Sequence, residues 1–236
     1  MIEIRNLAFT YHSKPVLRDV SFVVSPGETV SIVGANGAGK TTLLKVLATL
    51  AVPDSGMVML DGQDALAKPI RYRHQISYLP EKIALYEDMT VKAYLRYRAN
   101  LKGEPAKRIR RRLSEAAEMC QIADLLRIPI RTLSTGQKKR VALADALLLR
   151  PRVLLLDDFL AGLDVRMRRM AGEVLSNAAA FSSVIITGHE VEDFAKWTTR
   201  FLVLENGVIS SEVETAGLDV PTLRERLDIV MDEDRK

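Results

Sequence analysis

Gly34-Ala35-Asn36-Gly37-Ala38-Gly39-Lys40-Thr41 follows the pattern G-x-x-x-x-G-K-S/T, directly after Thr29–Val33, which reads as a buried strand, and directly before a helical stretch from Lys40 to about Leu50. The segment ties a buried strand, a tight loop and a helix start into one continuous unit. Its glycines let successive backbone N–H groups curl around an anion, a geometry that a Cβ would obstruct. The helix that follows points its positive end at the same place. Lys40 is then within reach of the β- and γ-phosphates of a nucleoside triphosphate, and the Thr41 hydroxyl is placed to ligate Mg²⁺. The plainer alternative is a tight turn with a snorkelling lysine. The strand–loop–helix context favours the phosphate cradle.

A second segment answers the first. Val153-Leu154-Leu155-Leu156-Asp157-Asp158 reads as a buried strand ending in two acids, at the end where ligands bind in open α/β sheets. Asp157 suits the metal, through water, and Asp158 suits an attacking water. A helix N-cap beside an ordinary surface acid is the other reading of this pair.

Strands alternating with helices predict an α/β chain with a mainly parallel sheet. Strands are expected at 2–9, 16–24, 57–60, 184–187 and 201–204, with helices at 136–149, 164–180 and 190–196. Two of the early strands flank a polar turn, Tyr11-His12-Ser13-Lys14-Pro15, and suggest an N-terminal antiparallel β subdomain. A charged helical block from about 84 to 140, broken at Lys102-Gly103-Glu104-Pro105, reads as a lobe inserted between sheet strands. The expected layout is one domain over 1–222 and a tail over 223–236.

The 236 residues are 47% hydrophobic and 27% charged, which excludes wholesale disorder. No uncharged apolar run approaches the roughly 18–20 residues of a membrane span. The start, Met-Ile-Glu-Ile-Arg-Asn, does not read as a secretory leader. The single cysteine, Cys120, cannot form an internal disulfide and is expected as a buried thiol in a reducing cytoplasm. A net charge of +4 is too mild to imply a nucleic-acid partner, and none is expected. Arg96, Arg98, Lys102, Lys107, Arg108, Arg110, Arg111 and Arg112 crowd a stretch holding one acid, Glu104. They form either a solvated helical face or a surface facing anionic lipid headgroups or an acidic partner.

Leu133-Ser134-Thr135-Gly136-Gln137 lies about twenty residues before Asp157 and resembles the LSGGQ signature of ABC-type ATPases, with Thr at the third position. Other landmarks fall in the family's order. Tyr11, twenty-nine residues before Lys40, resembles the aromatic on which adenine stacks, although a lone tyrosine could also be edge packing. Glu81, in Tyr78-Leu79-Pro80-Glu81, stands where the family carries Gln. Ala161-Gly162-Leu163-Asp164 resembles the loop after the acid strand, and His189, in Thr187-Gly188-His189-Glu190, resembles the switch histidine. The resemblance runs from residue 2 to about 210.

The resemblance implies a P-loop NTPase core of the ABC type, acting as an ATPase with ATP and Mg²⁺. Nucleotide contacts would come from Tyr11, from Asn36, Gly37, Ala38, Gly39, Lys40, Thr41 and Thr42, and from Ser134, Thr135, Gly136 and Gln137. Thr41, Glu81 and Asp157 would serve the metal, and Asp158 and His189 would be catalytic. Two such domains clamp two ATP molecules head to tail, each site being completed by the other chain's signature. The partners implied are therefore a second ATP-binding subunit, identical or different, and transmembrane permease subunits. The implied location is cytoplasmic, on the inner face of the cell membrane.

Two departures refine this expectation. Asp158 stands where the family has Glu, which shortens the arm and predicts slow hydrolysis; Phe159 stands where it has Pro. Glu81 and the stretch Ile83–Asn100 resemble the multidrug- and polysaccharide-export branch, so export is the expected direction. A soluble non-transport ABC ATPase, for example of the iron–sulfur assembly type, and a regulatory ATP sensor remain the alternatives.

Overall fold

A computed structural model of the chain describes residues 1–188 and 195–227. Six strands form the central sheet: β3 (Thr29–Val33), β6 (Ile76–Leu79), β7 (Val153–Leu156), β8 (Ser183–Gly188), β9 (Arg200–Glu205) and β10 (Val208–Glu214). Their order is β10-β9-β3-β8-β7-β6, parallel throughout except for the antiparallel edge strand β10. The four strands that precede the candidate residues are thus neighbours, with their carboxyl ends aligned. Leu156 pairs with Leu79 on one side and Ile186 on the other, and Val33 pairs with Gly188.

β3 and β7 are buried at every position, as strands covered on both faces must be, and β7 is a continuous apolar run. Their side chains alternate between two cores. Val33, Leu154, Leu156, Val184 and Ile186 face one, and Val30, Ile32, Val153, Leu155 and Ile185 face the other. The second core is closed by helix α1 (Lys40–Leu47) and a four-stranded antiparallel sheet, β1 (Ile2–Tyr11), β2 (Lys14–Val24), β4 (Ser55–Leu60) and β5 (Gln63–Asp64), ordered β2-β1-β4-β5. β1 and β2 run further than expected, to a two-residue turn at His12 and Ser13, both at positive φ as this hairpin geometry demands. A short helix, α2 (Pro69–Arg73), leads into β6.

The first core is covered by helices α3 (Val91–Leu101), α4 (Ala106–Met119), α5 (Thr135–Leu147) and α6 (Val165–Ala178). The inserted lobe therefore shares its core with the sheet, and α5 runs unbroken through the expected boundary at 140. At the other end, α7 (Val220–Leu227) buries Leu223 and Leu227 against the same core. The tail expected from 223 is corrected accordingly, because these two leucines belong to the packed domain.

The basic stretch is also corrected in part. Arg98 and Lys102 turn inward to the buried Asp145 of α5, at 2.9 and 3.2 Å, and the Tyr94 hydroxyl donates to the same carboxylate at 3.2 Å. Lys107, Arg108 and Arg110 stay exposed.

Candidate functional site

The loop between β3 and α1 is shaped by its glycines. Gly34 lies at φ 152°, and a Cβ there would come within 2.2 Å of the Leu204 carbonyl oxygen. Gly37, at φ 82°, has open space around it, so backbone conformation alone demands glycine. α1 then opens with no side-chain cap and no acid in its first turn, leaving its first N–H groups available to an anion. Lys40 Nζ donates to the Gly34 carbonyl and, at 3.0 Å, to that of Ala35. Burial holds the Lys40 ammonium below the ordinary lysine pKa, and the charges of Asp158 and Asp157 offset this in part.

Asp157 is 2% exposed and is reached from three elements. Its Oδ1 accepts from the hydroxyls of Thr41 and Thr187, each at 3.0 Å. Its Oδ2 accepts from the Tyr78 hydroxyl at 3.1 Å. The Asp158 N–H donates to the Thr187 hydroxyl oxygen at 3.0 Å, and Asp158 itself lies in the left-handed region at φ 46°. Burial and the Asp157 charge push the Tyr78 phenol well above the ordinary tyrosine pKa.

Lys40, Thr41, Asp157, Asp158 and Thr187 line one open crevice of about 420 Å³, together with Tyr11, Val16, Asn36, Gly37, Gly39, Thr42 and Glu81. Tyr11 packs in a T-shaped contact with Phe9, ring centroids 4.6 Å apart, so the edge-packing reading of this residue is the one observed. The Ala38 side chain is buried in the core instead, and its N–H is spent on the Ala35 carbonyl. His189 lies outside the described residues, as do residues 190–194 of the helix expected at 190–196.

The signature residues do not line the crevice. Ser134 and Gln137 form a reciprocal cap at the start of α5: Ser134 Oγ accepts from the Gln137 N–H at 3.3 Å, and Gln137 Oε1 accepts from the Ser134 N–H at 2.9 Å. Ser134 and Thr135 are exposed; Gly136 and Gln137 are half-buried. Lys139, one turn on, donates to the carbonyls of Phe159 and Ala161 and so ties α5 to the segment after β7. Burial lowers its pKa, and the charges of Asp158 and Glu81 oppose that shift.

The donors available to a metal, Thr41, Asp157 and Glu81, are all oxygens, which suits Mg²⁺. Among the described residues no three His, Cys, Asp or Glu side chains cluster as a metal cage. Tyr78, Thr187 and Lys139 were given no role from the sequence. Each acts across the sheet or between α5 and β7, so no local pattern announces it.

The sequence model of the ABC transporter family matches residues 17–161, more than half of the chain and all of the loop-to-acid segment just described. The chain belongs to the ABC transporter family. It is 32% identical over 215 residues to the spermidine/putrescine import ATP-binding protein PotA of Haemophilus influenzae, covering 90% of this chain and 57% of that one. The chain thus spans little more than half the length of that relative. A solved ATP-binding subunit of an ABC transporter superposes with a TM-score of 0.85 at 28% identity, covering 97% of this chain and 99% of that one. A bacterial ABC transporter cassette solved as a dimer shares the fold, with a TM-score of 0.82 at 24% identity over 92% of this chain and 100% of that one.

The relative is an import subunit, so the expected export branch is not supported and is dropped. The residues that suggested it have another account. Tyr86 packs edge-on against the rings of Tyr94 and Tyr97, and Ile83, Leu85 and Met89 pack on the first core. Packing within the lobe alone can dictate that pattern. No helix among the described residues is long and apolar enough to cross a membrane.

Proposed function

We propose that the chain is the ATP-binding and ATP-hydrolysing subunit of an ABC transporter, energising permease subunits carried on other chains, with import as the working direction taken from the relative named above. The observation that carries this reading is the single crevice in which Lys40, the uncapped start of α1, Thr41 and two acids at the end of β7 converge.

In this reading phosphate oxygens replace the Gly34 and Ala35 carbonyls as acceptors for Lys40, while the backbone from Asn36 to Thr42 cradles the remaining charge. Tyr11 supports the base. Thr41, Asp157 and Glu81 would hold Mg²⁺, directly or through water, and the ion would supply positive charge against the charge developing on the phosphates. Asp158 orients a water and takes its proton as the water oxygen bonds to the γ-phosphorus; the bridging oxygen leaves with ADP. His189 would contact the γ-phosphate. Ser134, Thr135, Gly136 and Gln137 complete the site of a second copy, or of a different ATP-binding subunit, in a head-to-tail pair. The chain would then act peripherally at the inner face of the membrane.

The test is purification of the tagged chain from detergent-solubilised membranes, with ATP binding and Mg²⁺-dependent hydrolysis measured on the product. Saturable ATP binding, turnover that climbs with chain concentration, and a stoichiometric multi-span partner are expected. Recovery only with non-membrane partners overturns the transporter reading, and failure to bind ATP overturns the reading altogether.

A further inference from the structure

Asp157 accepts three side-chain hydrogen bonds, and their layout is uneven. Oδ1 faces two hydroxyls, Thr41 and Thr187, while Oδ2 is taken by Tyr78 alone. The Thr187 hydroxyl has one proton to give and lone pairs to offer. It gives the proton to Asp157 and accepts the N–H of Asp158, so one oxygen spans both acids. Tyr78 and Thr187 come from β6 and β8, the two strands that flank β7, in register one residue before and one residue after the pairs at Leu79 and Ile186.

We propose that Tyr78 and Thr187 are positioning residues that clamp Asp157 from both sides, fixing which carboxylate oxygen is presented beside Thr41 for the metal and carrying Asp158 in the same rigid unit. The inference rests on the ATP-binding reading above. With Tyr78 holding Oδ2, the carboxylate cannot rotate about its terminal bond, and Oδ1 stays at the edge shared with Thr41. A phenol that merely needed an acceptor has simpler solutions; Tyr72 in this same chain donates to the Leu47 backbone carbonyl at 2.8 Å. Tyr78 also stands three residues before Glu81 on the same segment. Its bond therefore registers the Glu81 loop against the metal carboxylate.

The experiment is Mn²⁺ binding, read by electron paramagnetic resonance, to full-length protein saturated with a non-hydrolysable ATP analogue. Partners of this kind typically tune metal affinity by about 10–100-fold. Tyr78→Phe and Thr187→Val should each weaken Mn²⁺ binding by about tenfold or more, while binding of the analogue in chelator changes less than about twofold. Thr187→Ser, which keeps the hydroxyl, should restore Mn²⁺ affinity. Variants that bind Mn²⁺ within about twofold of the parent overturn the clamp, as does a loss of metal-free analogue binding that runs parallel to the loss of metal. A parent protein that binds no analogue overturns the ATP-binding reading itself, which separates the two failures.

Discussion

In the half of the site built around Lys40, hydrogen bonds join Thr41 to Asp157, Tyr78 to Asp157 and Asp158 to Thr187 across 116, 79 and 29 positions of sequence. In the half presented by Ser134, the two capping bonds span three positions. The first half is over-determined by sheet order: a buried carboxylate, strand neighbours in register and a helix start all meet, and moving one disturbs the others. The second is a self-sufficient helix end, preorganised locally and turned outward. In the function proposed above, one half grips a phosphate with its own chain and the other receives one brought by another molecule. Within the chain, Lys139 of α5 links them through the Phe159 and Ala161 carbonyls.

Breaking each half separately gives the largest expected effects. Lys40→Ala removes a charged donor worth roughly 1.5–3 kcal/mol per bond, so nucleotide affinity should fall by about 100-fold or more. Gly136→Asp should leave nucleotide affinity within about twofold but cut turnover by about 100-fold, because a carboxylate at the helix start repels the phosphate it would receive. The substitution itself is tolerable: a Cβ at Gly136 would meet the Met167 side chain at 3.6 Å, an ordinary contact, and an acid suits a helix N-terminus. Mixing the two inactive variants should restore turnover to about a quarter of the parent value, as random pairing in a two-fold dimer implies. No recovery on mixing would refute the exchange of signatures between chains.

The same contrast explains what the sequence made legible. The loop at 34–41 and the strand ending in Asp157 are local patterns, each set by a few adjacent residues, and each forms where expected. Cys120 is buried as expected, its thiol pushed up to about 12 by burial. What stayed hidden is non-local. β6 is four residues, Ile-Ser-Tyr-Leu, three of them half-buried, with no apolar run to announce it, and the Tyr78 bond depends on β6 lying beside β7. Arg98 and Lys102 read with the rest of the basic stretch, as a solvated face or one facing an acidic partner, because their counter-ion, Asp145, lies 47 and 43 residues away. The domain end was misplaced because the burial of Leu223 and Leu227 is decided by the sheet they pack on.

A smaller effect sharpens the first half from within. Asp158 is one methylene shorter than glutamate, and a misplacement of that size costs about 10²-fold in rate. Asp158→Glu should therefore raise turnover toward that bound, less whatever the longer side chain loses at φ 46°, while nucleotide affinity and the signature half stay unchanged. Steady-state hydrolysis at saturating Mg²⁺ and ATP checks this. Unchanged or lower turnover would mean that the site is built around the shorter acid.

The smallest expected effect is on pH, and it tells the two halves apart without disabling either. Burial sets the Lys40 pKa below its ordinary value in the free protein, and a phosphate would raise it again by supplying the counter-charge. Between the lowered and the ordinary pKa, free protein has lost the proton that the complex needs. Nucleotide binding must then take up a proton, so affinity falls as pH rises through that window, by at most about tenfold per pH unit. Folding stability moves the other way. The unfolded chain keeps the Lys40 proton to higher pH than the folded chain does, so the stability penalty of this lysine shrinks across the same window. Titration calorimetry in buffers of different ionisation enthalpy would count the proton directly. Gly136→Asp, which alters only the outward-facing half, should keep both the slope and the proton. Lys40→Ala should lose both; a slope that survives it would belong to Lys139, the other lysine of the site whose pKa burial lowers.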